Sequence, residues 1–330
     1  MKQFLQKKAK LVFLCMLVLL TCTACANPRG RDGKTLADQI IASEETTIDA
    51  SKINYKDISD KKLKKEIKKN IEDGQYTIQP TTFKNSMSKG WFEGLIVWPI
   101  AQIINLISSK TDAGVGIILT TLLIQMLVFV FTRKSQMSTQ RMQEIQPEIQ
   151  KIQNKYKDKT DERSKMQMAQ EMQNIYQKYD IHPFGSMLIT FIQLPIMMGM
   201  YYATMRSVSV VSGSFMGISL AGTPLDGFKA FDIAYISIYV LMVIFYIVSM
   251  KLPQWLKKWQ DKKDNVKVKK YAQEETNPMA NSMNMSMYFM TAMICIMYIS
   301  WPMAMSFYWL VSSVIRVCQS LILHKVMNKK

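Results

Sequence analysis

The sequence offers few side chains suited to enzyme chemistry. Its two histidines, His182 and His324, lie far apart beside basic stretches, and it has no paired acids and no nucleophile next to a base. The five cysteines show neither zinc-site spacing nor a disulfide pattern, and there is no glycine-rich phosphate loop. The sequence therefore predicts a protein that is not an enzyme, with no catalytic residue, metal ion or nucleotide site.

Acidic residues are also in the minority, with 25 Asp and Glu against 42 Lys and Arg, which gives a net charge of +17. Such an excess is compatible with nucleic-acid binding. Here, however, the basic residues cluster beside apolar blocks, as they do in the loops of membrane proteins. Hydrophobic residues make up 48% of the chain. We therefore expect a membrane protein without a sequence-specific nucleic-acid site, and contact between its basic loops and ribosomal RNA stays open.

The first residues predict a secreted, lipid-anchored N-terminus. Four lysines precede a short apolar run at residues 11–20, which is typical of a signal peptide. The run leads to CTAC, and a small residue before a cysteine at this place resembles a bacterial lipobox. We expect residues 1–24 to be a lipoprotein signal peptide and Cys25 to carry diacylglycerol and an N-acyl chain. An uncleaved anchor and ordinary signal-peptide cleavage are the alternatives.

The next two segments precede the long apolar runs. Residues 25–90 are polar and mixed in charge, and they predict an extracellular spacer without chemistry of its own. Within it, DKKLKKEIKKNIEDG predicts a short surface helix that ends at Gly74. Residues 91–110 carry two tryptophans, a proline and scattered polar residues. That composition favours an amphipathic helix lying in the membrane interface.

Five segments are long and apolar enough to cross a bilayer as helices, namely residues 113–132, 185–205, 231–250, 283–300 and 303–323. Lys and Arg are frequent in the connections after the first and third of these and in the C-terminal tail, and they are scarce in the other connections. The basic segments and the C-terminus are then cytoplasmic, and the N-terminus is outside. The predicted fold is an all-α polytopic membrane protein in the cytoplasmic membrane of a bacterium.

The connection at residues 133–184 predicts a cytoplasmic hairpin of two helices. Apolar residues recur at helical spacing in both halves, and Asp161 is the predicted N-cap of the second helix. A methionine-rich face suits adaptable contact with apolar partners. The residues considered for such contact are Ile145, Ile149, Met168 and Met172. Packing of the two helices against each other is the other interpretation of the same positions.

Three runs, MQEIQPEIQKIQNKY, HPFGSMLITFIQLPIMMGMYYA and FYWLVSSVIRVCQ, together resemble the YidC family of membrane protein insertases. The resemblance extends from Trp91 to the C-terminus, and with the lipobox it points to the five-span lipoprotein form of Gram-positive bacteria. It implies an insertase domain at residues 111–330 with nascent membrane proteins as clients and membrane lipid as a partner. It leaves the Sec translocon and the ribosome open as further partners, and it implies no small-molecule substrate.

Polar side chains inside membrane spans are costly and tend to mark function. At 1.5 Å per residue, Gln125, Gln193 and Arg316 each lie roughly 18–20 Å from the outer ends of their helices. A common depth on three helices predicts one hydrophilic groove, in which Gln125 would hydrogen-bond Arg316 or Gln193. The other groove candidates are Thr190, Ser313 and Gln319. Unrelated hydrogen bonds between helices are the alternative interpretation.

The resemblance implies a positive charge in this groove, typically an arginine on the first span, that receives the polar segment of a client. Here Gln125 stands at that place in the motif, and Arg316 stands where relatives carry a small or polar residue. Our hypothesis is that the charge has moved from the first span to the fifth. The hairpin would catch the client and the groove would solvate its polar tail. A small-solute or ion transporter, and a chaperone without insertion activity, are the alternative functions.

Overall fold

The computed structural model describes residues 28–157, 159, 161–181, 185–263, 289 and 291–327 of the 330-residue chain. Most of these residues are helical. The chain divides into two compact units, Met1–Asn105 with Met198–Ser212, and Leu106–Met197 with Gly213–Lys330. The predicted signal peptide and the predicted lipidation site, Cys25, lie outside the described residues.

Residues 28–90 of the first unit form five short strands and two short α-helices. They are β1 (Thr35–Leu36), β2 (Thr46–Asp49), β3 (Ile53–Asn54), α1 (Lys61–Lys69), β4 (Ile71–Glu72), β5 (Gln75–Ile78) and α2 (Phe83–Lys89). β1 pairs in parallel with β3, and β5 lies between β2 and β4 in an antiparallel sheet. Their apolar side chains form one buried core, which includes Ile48, Ile53, Ile58, Ile67 and Ile78.

This part of the chain is a folded unit with a core, where the sequence predicts only a polar spacer. Its isoleucines occur singly among charged residues, so no apolar run marks them. The alternation of side chains along a strand and the turn of a helix nevertheless place these isoleucines on faces that meet in the core. The prediction that the helix ends at Gly74 is wrong, because α1 ends at Lys69. Gly74 instead has a φ of 75°, in the turn between β4 and β5, where glycine meets no steric cost.

The remaining helices carry the apolar part of the chain. They are α3 (Trp98–Ser108), α4 (Ala113–Glu144), α5 (Gln146–Lys155), α6 (Glu162–Lys178), α7 (Gly185–Arg206), α8 (Val208–Ser212), α9 (Pro224–Ala230), α10 (Ile233–Lys263) and α11 (Met303–Met327). A small antiparallel ribbon, β6 (Ser214–Phe215) with β7 (Ile218–Ser219), lies between α8 and α9. A π-helical turn, Glu93–Val97, leads directly into α3. The predicted interfacial segment is thus helical, and its position relative to a membrane stays a prediction.

Polar contacts within the first unit fasten the end of α7. Arg206, its last residue, forms a buried ion pair with Glu93 and donates from Nε to the carbonyl of Gln39 at 2.6 Å. The buried Asn105 donates from Nδ2 to the carbonyl of Ile41 at 2.8 Å. These contacts join three parts of the unit that are far apart in sequence.

Three helices are long and apolar enough to cross a membrane, Ala113–Met142, Ile233–Gln260 and Met303–Val326. They coincide with the first, third and fifth predicted spans and support a helical membrane fold. The predicted second span corresponds to α7, which is helical throughout and contains Pro195. Residues 283–288 and 290 of the predicted fourth span lie outside the described residues, and residues 289 and 291–298 are helical. The total of five spans stays a prediction.

In the second unit, α11 packs against both α4 and α10. Its buried residues include Met303, Met305 and Tyr308. The far faces of α4 and α10 expose large apolar side chains, for example Leu123 and Ile244. Both helices are long enough to cross a bilayer, so their exposed apolar faces are suited to contact with lipid rather than with water.

Candidate functional site in the polar seam between helices

Gln125 lies in the middle of the apolar helix α4, where an amide without partners costs roughly 2–7 kcal/mol on leaving water. Its side chain is 5% exposed, and its Nε2 donates to Oγ of Ser312 on α11 at 3.1 Å. The amide is therefore tolerated because it has a partner on a neighbouring helix. That partner is Ser312 rather than Arg316 or Gln193, the two partners expected from the sequence.

Gln193 makes a corresponding contact from α7. Its Nε2 donates to the hydroxyl of Tyr308 on α11 at 3.1 Å. Tyr308 is fully buried, lies one helical turn before Ser312, and also interacts through its hydroxyl with the side chains of Ser312 and Gln125. The two amides that the sequence places at one depth thus meet the same turn of α11. We call Gln125, Gln193, Tyr308 and Ser312 the polar seam.

Arg316 lies one turn beyond Ser312 on α11. Its Nη2 donates to Oγ of Ser313 at 2.9 Å. Its guanidinium carbon lies 5.9 Å from the ring centre of Tyr246 on α10 and 5.7 Å from that of Trp309. Aromatic faces stabilise a cation where water is scarce. Within the described ranges, no carboxylate forms an ion pair with Arg316.

The other predicted groove residues differ in their surroundings. Ser313 is fully buried, and Gln319, further along α11, is partly buried. The side chain of Thr190 lies outside the described residues. Gln125, Tyr308 and Ser312 are buried and Gln193 is partly buried, so the seam is largely shielded from solvent in this conformation. An open, water-filled groove stays a prediction.

Three aromatic residues around Arg316 were not predicted from the sequence. Tyr298 stacks on Trp309 with ring centres 4.9 Å apart, and Tyr246 meets Trp309 edge-on at 6.3 Å. Tyr246 and Tyr298 lie on other segments of the chain, so no spacing connects them to Arg316. Trp309 alone could have been found, because it lies two turns before Arg316 on the same helix.

Two buried polar atoms near the seam lack a hydrogen-bond partner among the described residues, Oγ1 of Thr120 and Nε1 of Trp309. Unsatisfied groups of this kind are uncommon inside proteins because each carries its full desolvation cost. Oγ1 of Thr120 can accept a hydrogen bond, and Nε1 of Trp309 can donate one. Among all the residues that the structure describes, no cluster of His, Cys, Asp and Glu is large enough to hold a metal ion.

The helices α5 and α6 lie at the predicted hairpin. The two isoleucines considered for partner contact, Ile145 and Ile149, are 4% and 5% exposed in a small core with Ile181. Met172 packs against that core, and Met168 is partly buried. In this conformation, packing between the helices therefore occupies three of the four candidate contact residues.

Polar contacts reinforce the same pair of helices. Glu171 on α6 accepts hydrogen bonds from Lys155 and from the hydroxyl of Tyr156, and these two donors lower the pKa of its carboxyl group. The predicted N-cap is confirmed, because the carboxylate of Asp161 accepts from the backbone N–H of Ser164 at 2.8 Å.

Comparison with known proteins gives matches over most of the chain. The family described as 60Kd inner membrane protein matches residues 105–330, which contain the whole polar seam. Membrane protein insertase YidC 1 of Streptococcus pyogenes is 30% identical over 237 residues, which are 72% of this chain and 75% of that protein. Membrane protein insertase MisCA of Bacillus subtilis is 27% identical over 238 residues, 72% of this chain and 80% of that protein. Membrane protein insertase YidC of Enterococcus faecalis is 30% identical over 237 residues, with shares of 72% and 76%.

Proposed function

This chain belongs to the YidC family of membrane protein insertases, and from that premise we propose how it moves its clients. Its function is membrane protein insertion. We propose that the polar seam, together with Arg316, receives the polar segment of a client while the apolar segment passes into lipid. The observation that carries this proposal is the set of hydrogen bonds that joins α4, α7 and α11 inside apolar helices.

The first step is an exchange of hydrogen bonds. A hydrogen bond between membrane helices contributes only about 0.6 kcal/mol on average, so separating α4 from α11 at Gln125 and Ser312 costs little. The freed groups then bond the polar tail of the client. Oγ1 of Thr120 adds an acceptor and Nε1 of Trp309 adds a donor, and neither has a hydrogen-bond partner among the described residues. The tail thus enters the membrane at a lower desolvation cost than in lipid alone.

Arg316 gives the seam a preference for acidic tails. Aromatic rings hold its guanidinium, and none of the acids in the described ranges pairs with it, so an incoming Asp or Glu meets a cation without a carboxylate partner there. The membrane potential then drives an acidic tail outward, at about 2.3 kcal/mol per charge per 100 mV. No covalent step is needed, and the proposal includes no catalytic residue.

We also propose the topology and partners that the sequence predicts. The N-terminus is outside and lipid-anchored at Cys25, and the hairpin at residues 133–184 and the C-terminus are cytoplasmic. Nascent membrane proteins are the clients, and the Sec translocon and the ribosome are proposed partners. Since Ile145 and Ile149 are buried, client capture at the hairpin uses exposed residues such as Met166 or requires the two helices to separate.

The experiment is insertion of a small single-span protein into proteoliposomes, with an acidic tail or a neutral one. We expect Arg316→Ala to slow the acidic client about tenfold, the effect of about 1.4 kcal/mol on a barrier, and to leave the neutral client nearly unchanged. Arg316→Lys keeps the charge and serves as the matched control. Arg316→Ala with Gln125→Arg should recover insertion, because the charge then returns to the first span.

If Arg316→Ala inserted the acidic client as fast as the wild type does, or slowed both clients equally, Arg316 would not be the charge that selects acidic tails. Solute flux measured in the same liposomes addresses the transporter alternative. Flux of small ions that depends on the seam, without insertion of either client, would contradict the whole mechanism.

A further inference from the structure

The helix α10 is longer than a membrane requires. Its 31 residues form a helix of about 46 Å, whereas the hydrocarbon core of a bilayer is about 30 Å thick. Counted from Ile233, about 20 residues cross the core, and the helix continues without a break through residues 253–263. The last three turns therefore lie beyond the hydrocarbon.

One exposed face continues along the whole of α10. At 100° per residue, its exposed members lie within an arc of about 160°. They include Val240, Ile244, Ile247, Trp255, Lys258, Trp259, Lys262 and Lys263. The opposite side, with Tyr239 and Met242, is buried against the protein. The face that meets lipid in the span thus continues directly along residues 253–263, the part of α10 beyond the hydrocarbon.

The chemistry of this face changes where the hydrocarbon ends. Trp255 and Trp259 are 51% and 59% exposed, and Lys258, Lys262 and Lys263 are exposed around them. The ammonium of Lys263 lies 5.5 Å from the ring centre of Trp259. Residues 251–263 contain five lysines against a single acid, Asp261. The apolar face is therefore followed by an aromatic and strongly basic one.

The depth of the two tryptophans agrees with this change. Trp255 and Trp259 lie about 33 Å and 39 Å along the helix from Ile233, and thus about 3 Å and 9 Å beyond a 30 Å core. That interval is the headgroup layer, where amphipathic tryptophan rings are most stable. The lysines of the last turn lie at or just beyond the same level, within reach of lipid phosphates.

We propose that Trp255, Lys258, Trp259, Lys262 and Lys263 form a binding surface for anionic phospholipid headgroups, in the leaflet at the C-terminal end of α10. Lipid is favoured over RNA because the surface continues a lipid-facing apolar face and lies at headgroup depth, and RNA binding requires neither. Charge complementarity selects an anionic headgroup over a zwitterionic one. This inference does not depend on the insertion mechanism.

The test uses the full chain in phosphatidylcholine bilayers with spin-labelled lipid probes. Electron paramagnetic resonance gives the preference of the protein for phosphatidylglycerol over phosphatidylcholine. The variant Lys258→Gln/Lys262→Gln/Lys263→Gln should lose this preference about twofold or more. The control Lys61→Gln/Lys62→Gln/Lys65→Gln removes the same charge from exposed positions of α1 and should leave it unchanged. The variant Lys258→Arg/Lys262→Arg/Lys263→Arg should keep the preference and show that the site tolerates substitution.

An unchanged preference in the glutamine variant would overturn the proposal, and so would an equal loss in the α1 control. Co-sedimentation with a structured RNA fragment distinguishes the other class of partner. If the glutamine variant lost RNA binding but kept its lipid preference, the surface would belong to RNA and the proposal would fail. Because the lipid preference is measured without a client, a failed insertion mechanism does not affect the result.

Discussion

At the scale of the residue, Gln125 is stable inside an apolar helix because Ser312 accepts its amide proton at 3.1 Å. The bond is weak in free energy terms, because an unfolded or separated helix in the membrane finds other partners. A weak closed-state bond is what an opening seam requires. Strong pairing at this point would hold α4 and α11 together and oppose client entry.

We predict that the coupling between Gln125 and Ser312 is small. In a cycle of Gln125→Leu, Ser312→Ala and the double variant, the coupling free energy should be about 0.6 kcal/mol and no more than about 1.7 kcal/mol. Reversible unfolding of the detergent-solubilised protein measures it. The cycle of Thr121→Val with Ser312→Ala is the control, because the one side-chain hydrogen bond of Thr121 to a described residue is to the carbonyl of Ile117, on its own helix. A coupling well above that range would mean that the seam is a structural clamp.

At the scale of the element, the helix α6 begins at a cap that depends on ionisation. The carboxylate of Asp161 accepts from the backbone N–H of Ser164, and this hydrogen bond lowers the pKa of Asp161 below its usual value of 3.8. A carboxyl group with a lowered pKa stabilises the folded form above the pKa of the unfolded chain. That stabilisation is lost as the pH falls through the folded pKa.

We predict that Asp161→Ala increases opening of the first turn of α6, because it removes the side chain that caps the helix. Asp161→Asn keeps the cap but removes its titration, so it should resemble the wild type near neutral pH. Hydrogen exchange of residues 162–165 measures the opening, after correction for the intrinsic rate. On acidification, opening should increase in the wild type and stay level in Asp161→Asn. The same acid response in both proteins would contradict this account of the cap.

At the scale of the whole molecule, the end of a predicted membrane span is fixed within the first unit by a buried ion pair. Arg206 and Glu93 are both largely removed from water. Breaking such a pair by removing one partner leaves an uncompensated buried charge, which is far more costly than removing both.

We predict that Glu93→Gln or Arg206→Gln alone destabilises the first unit by about 3–5 kcal/mol. The double variant should lose less, because no charge is left unpaired. Limited proteolysis of residues 28–105 follows the unfolding of this unit. The exposed Lys84→Gln is the matched control and should have little effect. A double variant less stable than either single variant would show that the pair itself, rather than charge balance, holds the unit.

Different levels of the structure were predictable to different degrees. The long spans followed from local hydropathy, and the cap at Asp161 followed from residue type and spacing. The folded first unit was not predicted, because its core isoleucines are isolated in sequence and its strands are only two to four residues long. Cores assembled from single residues depend on long-range pairing, which no short window of sequence contains.

By itself, the sequence determined that the chain enters a membrane as apolar helices, that its basic segments lie between them, and which family it resembles. These properties depend on composition and order, and each residue contributes locally. Only the tertiary structure decided that Gln125 bonds Ser312, that Gln193 bonds Tyr308, and that aromatic rings surround Arg316. Such pairings depend on how helices rotate and slide against each other, and side-chain packing between distant segments sets that rotation.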